Sequence, residues 1–120
     1  MKYETIVKNL LKEFPEFEIS EEFKYVKNQL TLPYIIFGSF RQFYVNTVSK
    51  SDRLASRISS FLERMANSDD GRISELLAYG FLEGLNKEDQ SDKKLIKLLG
   101  KRTKKLLDET DNFWKQSTLK

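Results

Sequence analysis

Apolar side chains recur at every third or fourth position through most of this chain, which is the spacing of one face of an α-helix. In the first segment, Tyr3, Ile6, Leu10 and Phe14 would lie on one stripe. Only two prolines and five glycines interrupt the 120 residues, so the pattern can continue from segment to segment. The pattern predicts a single all-α domain over residues 1–120, a compact bundle of six or seven short helices.

Polar residues and the two prolines indicate where the helices end. Pro15 should stop the first helix, and Ser20 should cap a second helix that continues towards Pro33. The residues YIIF after Pro33 could form a strand, but the spacing that follows favours a helix with a wide, buried face. Caps of the later helices are predicted at Asp52, Ser91 and Thr103. The last helix is expected to carry Leu106, Leu107, Phe113 and Trp114.

The chain is rich in aromatic residues, with nine Phe, five Tyr and one Trp. Four of them, Phe37, Phe40, Phe43 and Tyr44, fall at helical spacing in the helix expected after the second proline. Because packing a helix into a core requires that spacing, we expect these rings to form core and not a ligand-binding box.

Two adjacent carboxylates precede a glycine in the stretch NSDDGR, at 67–72. A calcium loop of the EF-hand type needs oxygen ligands at its first and twelfth positions and glycine at its sixth. With Gly71 at the sixth position, Ala66 and Leu77 would stand at the first and the twelfth. Neither side chain can bind a cation, so the calcium interpretation fails.

The remaining interpretation of this stretch is a tight turn that joins two apolar helices. Asp69 or Asp70 can cap the second helix, and Asn67 and Gly71 tolerate left-handed backbone. Two apolar helices around such a turn resemble a HEAT-like helical hairpin, of the kind that stacks into α-solenoids. The predicted bundle therefore includes one HEAT-like hairpin.

No cysteine and no histidine occur in the chain. Their absence removes thiolate and imidazole metal ligands and every Ser–His or Cys–His nucleophile. Asp108, Glu109 and Asp111 lie close together, but carboxylate metal clusters draw ligands from several helices and usually include histidine. We therefore expect no enzymatic activity, no cofactor and no metal site. A carboxylate enzyme is the rival, and it requires an Asp or Glu of raised pKa in a closed cleft.

The N-terminal stretch MKYETIVKNLLKEF carries Lys and Glu throughout. It lacks the apolar core of a signal peptide, and no run of about 18 apolar residues occurs in the chain. We expect a cytoplasmic protein without a membrane-spanning segment.

The helix expected over 71–85 is apolar almost all round, apart from a narrow polar stripe. Arg72, Glu75, Tyr79 and Glu83 form that stripe, at spacings of three and four. One interpretation is a solvated edge with an internal Arg72–Glu75 ion pair. The other is an acidic, tyrosine-centred surface that binds a protein, since tyrosines are enriched among interface anchors. The predicted contact residues are Glu75, Tyr79 and Glu83, extended by Asp69, Asp70 and Glu63.

The net charge of +3 hides a segregation of charge along the chain. Residues 93–105 hold seven bases and no acid, whereas residues 61–92 hold eight acids against three bases. Such a basic segment could bind nucleic acid in a salt-dependent manner. No aromatic side chain interleaves the cations and no known reading motif accompanies them. Nucleic acid is therefore the alternative to a protein partner, and the oligomeric state stays open.

Five segments together resemble one family: FPEF at 14–17, LPYIIFGSF at 32–40, FLERMANSDD at 61–70, ELLAYGFLEGL at 75–85 and LLGKRTKKLL at 98–107. The family consists of small, largely uncharacterised all-helical bacterial proteins, often encoded among polymorphic-toxin immunity genes. The resemblance implies an immunity protein that occludes a cognate toxin. Inhibitors of nuclease toxins are often strongly acidic, whereas this chain is net basic, so the class of toxin stays open.

Overall fold

Helices account for nearly all of the ordered secondary structure in this computed structural model, which describes the backbone of residues 1–118 and the side chains of residues 1–111. No strand occurs over residues 1–118. The α-helices described are α1 (Ile6–Glu13), α2 (Pro15–Glu18), α3 (Glu21–Lys24), α4 (Pro33–Thr47), α5 (Asp52–Ala66), α6 (Gly71–Glu75), α7 (Gln90–Lys97) and α8 (Lys101–Thr118). The all-α prediction is confirmed. The count exceeds the predicted seven because Pro15, which stops α1, also starts α2.

A π-helical segment, Leu76–Phe81, continues α6 and leads into a 3₁₀ turn over Leu82–Gly84. We call the six residues Leu76–Phe81 the π-segment. The helix predicted over 71–85 is therefore present, but in three successive geometries. Helical segments of the π type are rare, and they occur frequently at functional sites.

Helix α4 lies at the centre of the core. The four rings predicted as core are all buried: Phe37, Phe40, Phe43 and Tyr44. The ring centroid of Phe40 is 5.3 Å from that of Phe14, 5.1 Å from Phe17 and 5.9 Å from Phe81, so α4 joins the N-terminal helices to the π-segment. The strand alternative for YIIF is wrong. Pro33 occupies the first turn of α4, where its fixed φ suits a helix and its missing N–H costs nothing.

Helix α4 and the π-segment cross at two glycines. A Cβ atom on Gly38 would lie 4.0 Å from the carbonyl oxygen of Gly80. A Cβ atom on Gly80 would lie 3.0 Å from Leu76 Cδ1 and 3.5 Å from Phe37 Cβ. The missing side chain at Gly80 therefore allows a close approach of the two backbones.

The second predicted helix is shorter than expected. Ser20 does cap it, because the backbone N–H of Phe23 donates to Ser20 Oγ at 3.3 Å. However, α3 ends at Lys24 and does not continue towards Pro33. A short helix is stabilised mainly by burying its apolar stripe. Beyond α3 that stripe is only partly covered, since Val26 is half-buried and Leu30 is 47% exposed.

Three predicted caps are wrong, each because another oxygen satisfies the free N–H groups. Ser51 caps α5 in place of Asp52, and its hydroxyl accepts from the Leu54 N–H at 3.1 Å. Asp89 caps α7 in place of Ser91, whose own N–H donates to Asp89 at 2.8 Å.

The third is Thr103, which lies inside α8, because that helix begins at Lys101. Leu107 is buried and Leu106 half-buried, as the predicted apolar side of this helix requires. The side chains of Phe113 and Trp114 lie outside the described residues.

The stretch NSDDGR is a turn between α5 and α6, as predicted. Asp70 is the cap of α6, and its Oδ1 accepts from the Arg72 N–H at 3.0 Å. Neither Asn67, with φ of −90°, nor Gly71 uses left-handed backbone. The π-segment that follows α6 packs against α4, so the hairpin of α5 and α6 is part of the bundle. Within residues 1–118, no helix combines the length and apolar character needed to cross a membrane.

Candidate partner-binding surface

The structure divides the six predicted contact residues among three places. Glu75 and Tyr79 line one cleft of about 190 Å³, between the π-segment and α8. Glu83 lines a separate hollow of about 260 Å³, beside Lys87 and Asp111. A wide cleft of about 870 Å³ at the α5–α6 turn contains the remaining three, Glu63, Asp69 and Asp70. The six predicted residues therefore line three different hollows.

The separation of Glu83 from Glu75 and Tyr79 has a geometric cause. The prediction assumed the 3.6-residue repeat of an α-helix. A π-helical segment forms i→i+5 hydrogen bonds and a 3₁₀ turn forms i→i+3 bonds, so the angular spacing of side chains changes twice between Glu75 and Glu83. All three side chains remain exposed.

We call the first of these places the Tyr79 cleft. One wall carries Glu75, the last residue of α6, and Tyr79, which is 40% exposed. The opposite wall is α8, which contributes Glu109 and the half-buried Leu106. Among the described residues, neither Glu75 nor Glu109 has an ion-pair partner. The cleft thus presents a tyrosine ring and two available carboxylates.

A second exposed tyrosine, which the sequence reasoning missed, lies beside Tyr79. Tyr34 on α4 is 44% exposed, and its Cδ1 would be 3.5 Å from a Cβ atom on Gly80. Partial burial, followed by the proximity of Tyr3, Glu75 and Tyr79, raises the pKa of the Tyr34 hydroxyl. The apolar run at the start of α4 hid this residue, because periodicity alone does not separate an exposed aromatic from a buried one.

Arg72 does not pair with Glu75, so the predicted internal ion pair is wrong. Its guanidinium donates to Asp70 at 2.8 Å, lies within 2.9 Å of Glu4, and is stacked 4.9 Å from the centroid of the Tyr3 ring. Hydrogen bonding by Arg72 lowers the pKa of Asp70. Arg72 therefore joins the N-terminal segment to the start of α6, and Asp70 has an internal role.

Glu63 also has an internal role. Its carboxylate accepts hydrogen bonds from the backbone N–H groups of Arg102 and Thr103, at 3.0 and 2.9 Å, and from the Thr103 hydroxyl at 2.8 Å. A Cβ atom on Gly100 would come within 2.4 Å of this carboxylate, so Gly100 leaves the space it needs. Burial opposes ionisation, but the N–H groups of Thr103 and Arg102 outweigh it and lower the pKa of Glu63. Of the three residues at the wide cleft, only Asp69 lacks a described internal partner.

Asp108 and Asp111 meet a lysine from another element. Lys87 Nζ donates to Asp108 and lies 3.8 Å from Asp111 Oδ2. In the part of the chain that the structure describes, no three His, Cys, Asp or Glu side chains converge as a metal site would require. These carboxylates anchor the segment before α7 to α8.

The basic segment spans α7 and the first turns of α8. All seven cations in it are exposed: Lys93, Lys94, Lys97, Lys101, Arg102, Lys104 and Lys105. None forms an ion pair with another described residue. This surface is therefore a second charged region, of opposite sign to the Tyr79 cleft.

No curated protein and no solved structure is similar enough to match the chain. A family model described as a domain of unknown function (DUF7674) matches residues 7–115, from within α1 to within α8. Because the match covers most of the chain, this protein belongs to the DUF7674 family.

Proposed function

We propose that this chain is a non-catalytic protein-binding module, and that it acts as an immunity protein that occludes a cognate bacterial toxin. The observation that carries the proposal is the pair of neighbouring exposed tyrosines, Tyr34 and Tyr79, with Glu75 beside them. Aromatic rings with a polar tip are typical anchors of protein interfaces, because they bury a large area at a low cost in conformational entropy.

The position of these two tyrosines on elements that pack against each other favours binding. Tyr34 lies on α4 and Tyr79 on the π-segment, and the two elements meet at the crossing of Gly38 and Gly80. Because both tyrosines stand on packed elements, little order has to be gained when a partner binds. The carboxylates of Glu75 and Glu83 would add charge complementarity to a basic partner.

The immunity role rests on the resemblance of the five sequence segments to proteins encoded among toxin-immunity genes. Occlusion requires only that the inhibitor cover the active surface of the toxin. A module that presents anchors and charge on a packed scaffold is sufficient for that task.

The test begins with the tagged protein in its native host, recovery of what co-purifies at moderate salt, and identification by mass spectrometry. Charge reversal in the variant E75K/E83K should then strongly reduce recovery of the partner. The free energy of unfolding should change by less than about 0.5 kcal/mol, because both side chains are exposed. The matched control is E18K/E21K, which makes the same change in net charge on α2 and α3.

Two results would count against the proposal in different ways. If E75K/E83K and Tyr79→Ala both recover the partner as well as the native chain does, the surface assignment fails. If the recovered partner does not arrest growth when it is expressed alone, or if co-expression of the native chain does not relieve the arrest, the immunity role fails.

Nucleic-acid binding is the second candidate, and the exposed basic segment favours it. Seven exposed cations could neutralise several phosphates and give an affinity that falls steeply with salt. Fluorescence anisotropy with duplex and single-stranded probes at low salt tests this directly. The triple variant K101A/R102A/K104A should then lose affinity, and absence of any binding by the native chain at low salt excludes this function.

A further inference from the structure

Arg72 is bound by an aromatic ring and by carboxylates at the same time. Its guanidinium lies 4.9 Å from the centroid of the Tyr3 ring, and it contacts the carboxylates of Asp70 and Glu4 at 2.8 and 2.9 Å. The face of an aromatic ring attracts a cation, and the carboxylates supply charge-assisted hydrogen bonds. Ring and carboxylates together form one binding unit.

The same unit recurs twice elsewhere in the described residues. Arg57 lies 5.2 Å from the centroid of the Phe14 ring and donates to Glu16. A third unit consists of Arg64, the Phe61 ring at 5.2 Å and Glu13 at 2.6 Å. All three described cation–π contacts are thus arginines that also bind a carboxylate.

The Tyr79 cleft contains this unit without its arginine. Tyr79 supplies the ring, and Glu75 and Glu109 supply carboxylates from opposite walls. Neither glutamate has an ion-pair partner among the described residues. The volume of about 190 Å³ corresponds to roughly six water molecules, which suits one long side chain and not a folded ligand.

We propose that the Tyr79 cleft receives an arginine side chain from the surface of the partner protein. This inference rests on the proposed function, since it names the chemistry of the partner at that same surface. The planar guanidinium stacks on the Tyr79 ring while its edges donate to Glu75 and Glu109. Lysine fits less well, because an ammonium is a compact, strongly hydrated charge that does not stack.

The experiment uses the full chain, labelled with ¹⁵N and ¹³C, and a chemically defined probe. Nα-acetyl-arginine amide is titrated into the protein at low salt, and NMR shifts are followed. Nα-acetyl-citrulline amide is the control, since it has nearly the same shape and no charge. The arginine probe should cause saturable shifts at Glu75, Tyr79 and Glu109. The citrulline probe should bind about fivefold more weakly, as read from the concentration dependence of the shifts, because two exposed ion pairs are lost.

A matched pair of variants assigns the effect to the cleft. The variant E75Q/E109Q should weaken binding of the arginine probe about fivefold, because it removes the same two ion pairs. E18Q/E88Q removes two exposed carboxylates elsewhere and should leave the response unchanged. Equal shifts with citrulline, no shift at Tyr79, or the same response in E75Q/E109Q would each overturn the inference.

Failure of the arginine inference and failure of the proposed function give different experimental results. If the arginine probe does not bind but partner recovery still depends on Glu75, the chain binds a protein through other chemistry. If the probe binds in the cleft but recovery of no partner depends on Glu75 or Tyr79, the cleft does bind arginine and the proposed function fails.

Discussion

Substitution of Glu63 by Ala is expected to destabilise the fold through the start of α8. Three donors would lose their acceptor, namely the N–H groups of Arg102 and Thr103 and the Thr103 hydroxyl. Loss of the cap at the exposed Arg102 should cost about 1 kcal/mol. Thr103 is 0% exposed, so its unsatisfied donors should cost about 2 kcal/mol more. We therefore expect the free energy of unfolding to fall by about 3 kcal/mol.

Urea unfolding at pH 7, followed by far-UV circular dichroism, measures this loss. The corresponding decrease in Tm is roughly 10 °C for a chain of this size. Glu63→Gln keeps one oxygen for Thr103 and loses an acceptor for Arg102, so it should cost only about 1 kcal/mol. A change below about 0.5 kcal/mol for Glu63→Ala, the range of ordinary surface substitutions, would refute the capping role.

Gly100 provides an independent check of the same contact. A Cβ atom there would come within 2.4 Å of the Glu63 carboxylate and displace it from α8. Gly100→Ala should therefore destabilise the native chain, but it should cost little once Glu63 is already Ala. A double-mutant cycle measures this coupling, and additive effects of the two substitutions would contradict the proposed geometry.

The stability of the chain should also depend on pH through Glu63. Its pKa in the folded chain lies below the ordinary value of 4.5. A carboxyl whose pKa is lower when folded stabilises the fold above its unfolded pKa, and that contribution is lost as the pH falls through the folded pKa. The free energy of unfolding should thus fall more between about pH 5 and pH 3 in the native chain than in Glu63→Gln. Parallel curves for the two proteins would rule this out.

Two further substitutions test internal hydrogen bonds. Tyr44→Phe should lower the free energy of unfolding, measured by urea unfolding, by about 1 kcal/mol, because the buried hydroxyl donates to the Leu95 carbonyl at 2.7 Å. Tyr34→Phe is the control, since that ring is exposed and its substitution should change the free energy of unfolding little. Asp70→Ala should lower the Tm by roughly 4 °C, since it removes the cap of α6. Asp70→Asn retains a capping oxygen, so its Tm should fall less. An equal decrease in Tm for both variants would contradict the capping role.

Much of the fold could be predicted from residue order, because helices bury a periodic stripe and that stripe is local in sequence. The buried rings of α4 followed from this rule, and the end of α1 before Pro15 followed from the restricted backbone of the residue that precedes a proline. The exact capping residues could not be predicted from residue order. Several oxygens near each helix start compete for the same N–H groups, and only their final geometry decides between Ser51 and Asp52, or between Asp89 and Ser91.

The candidate surface was only partly accessible to sequence reasoning. The exposure of Glu75, Tyr79 and Glu83 could be predicted, since they interrupt an otherwise apolar helix. The π-segment could not, because no local pattern distinguishes it from an α-helix, and it separates Glu83 from the other two. The predicted Arg72–Glu75 pair is absent because Arg72 binds Asp70, two residues before it, and Glu4 in the N-terminal segment.

Residue order alone is enough to predict that this chain is helical, which faces of the helices are apolar and which chemistries Cys and His could not supply. Which polar side chains are available to a partner depends on how the helices pack. That availability depends on contacts between residues far apart in sequence. Glu63 binds α8 across about forty positions, Tyr34 reaches Gly80, and Glu109 closes the cleft opposite Tyr79. Local periodicity carries no information about such pairs, because they form only when the helices pack.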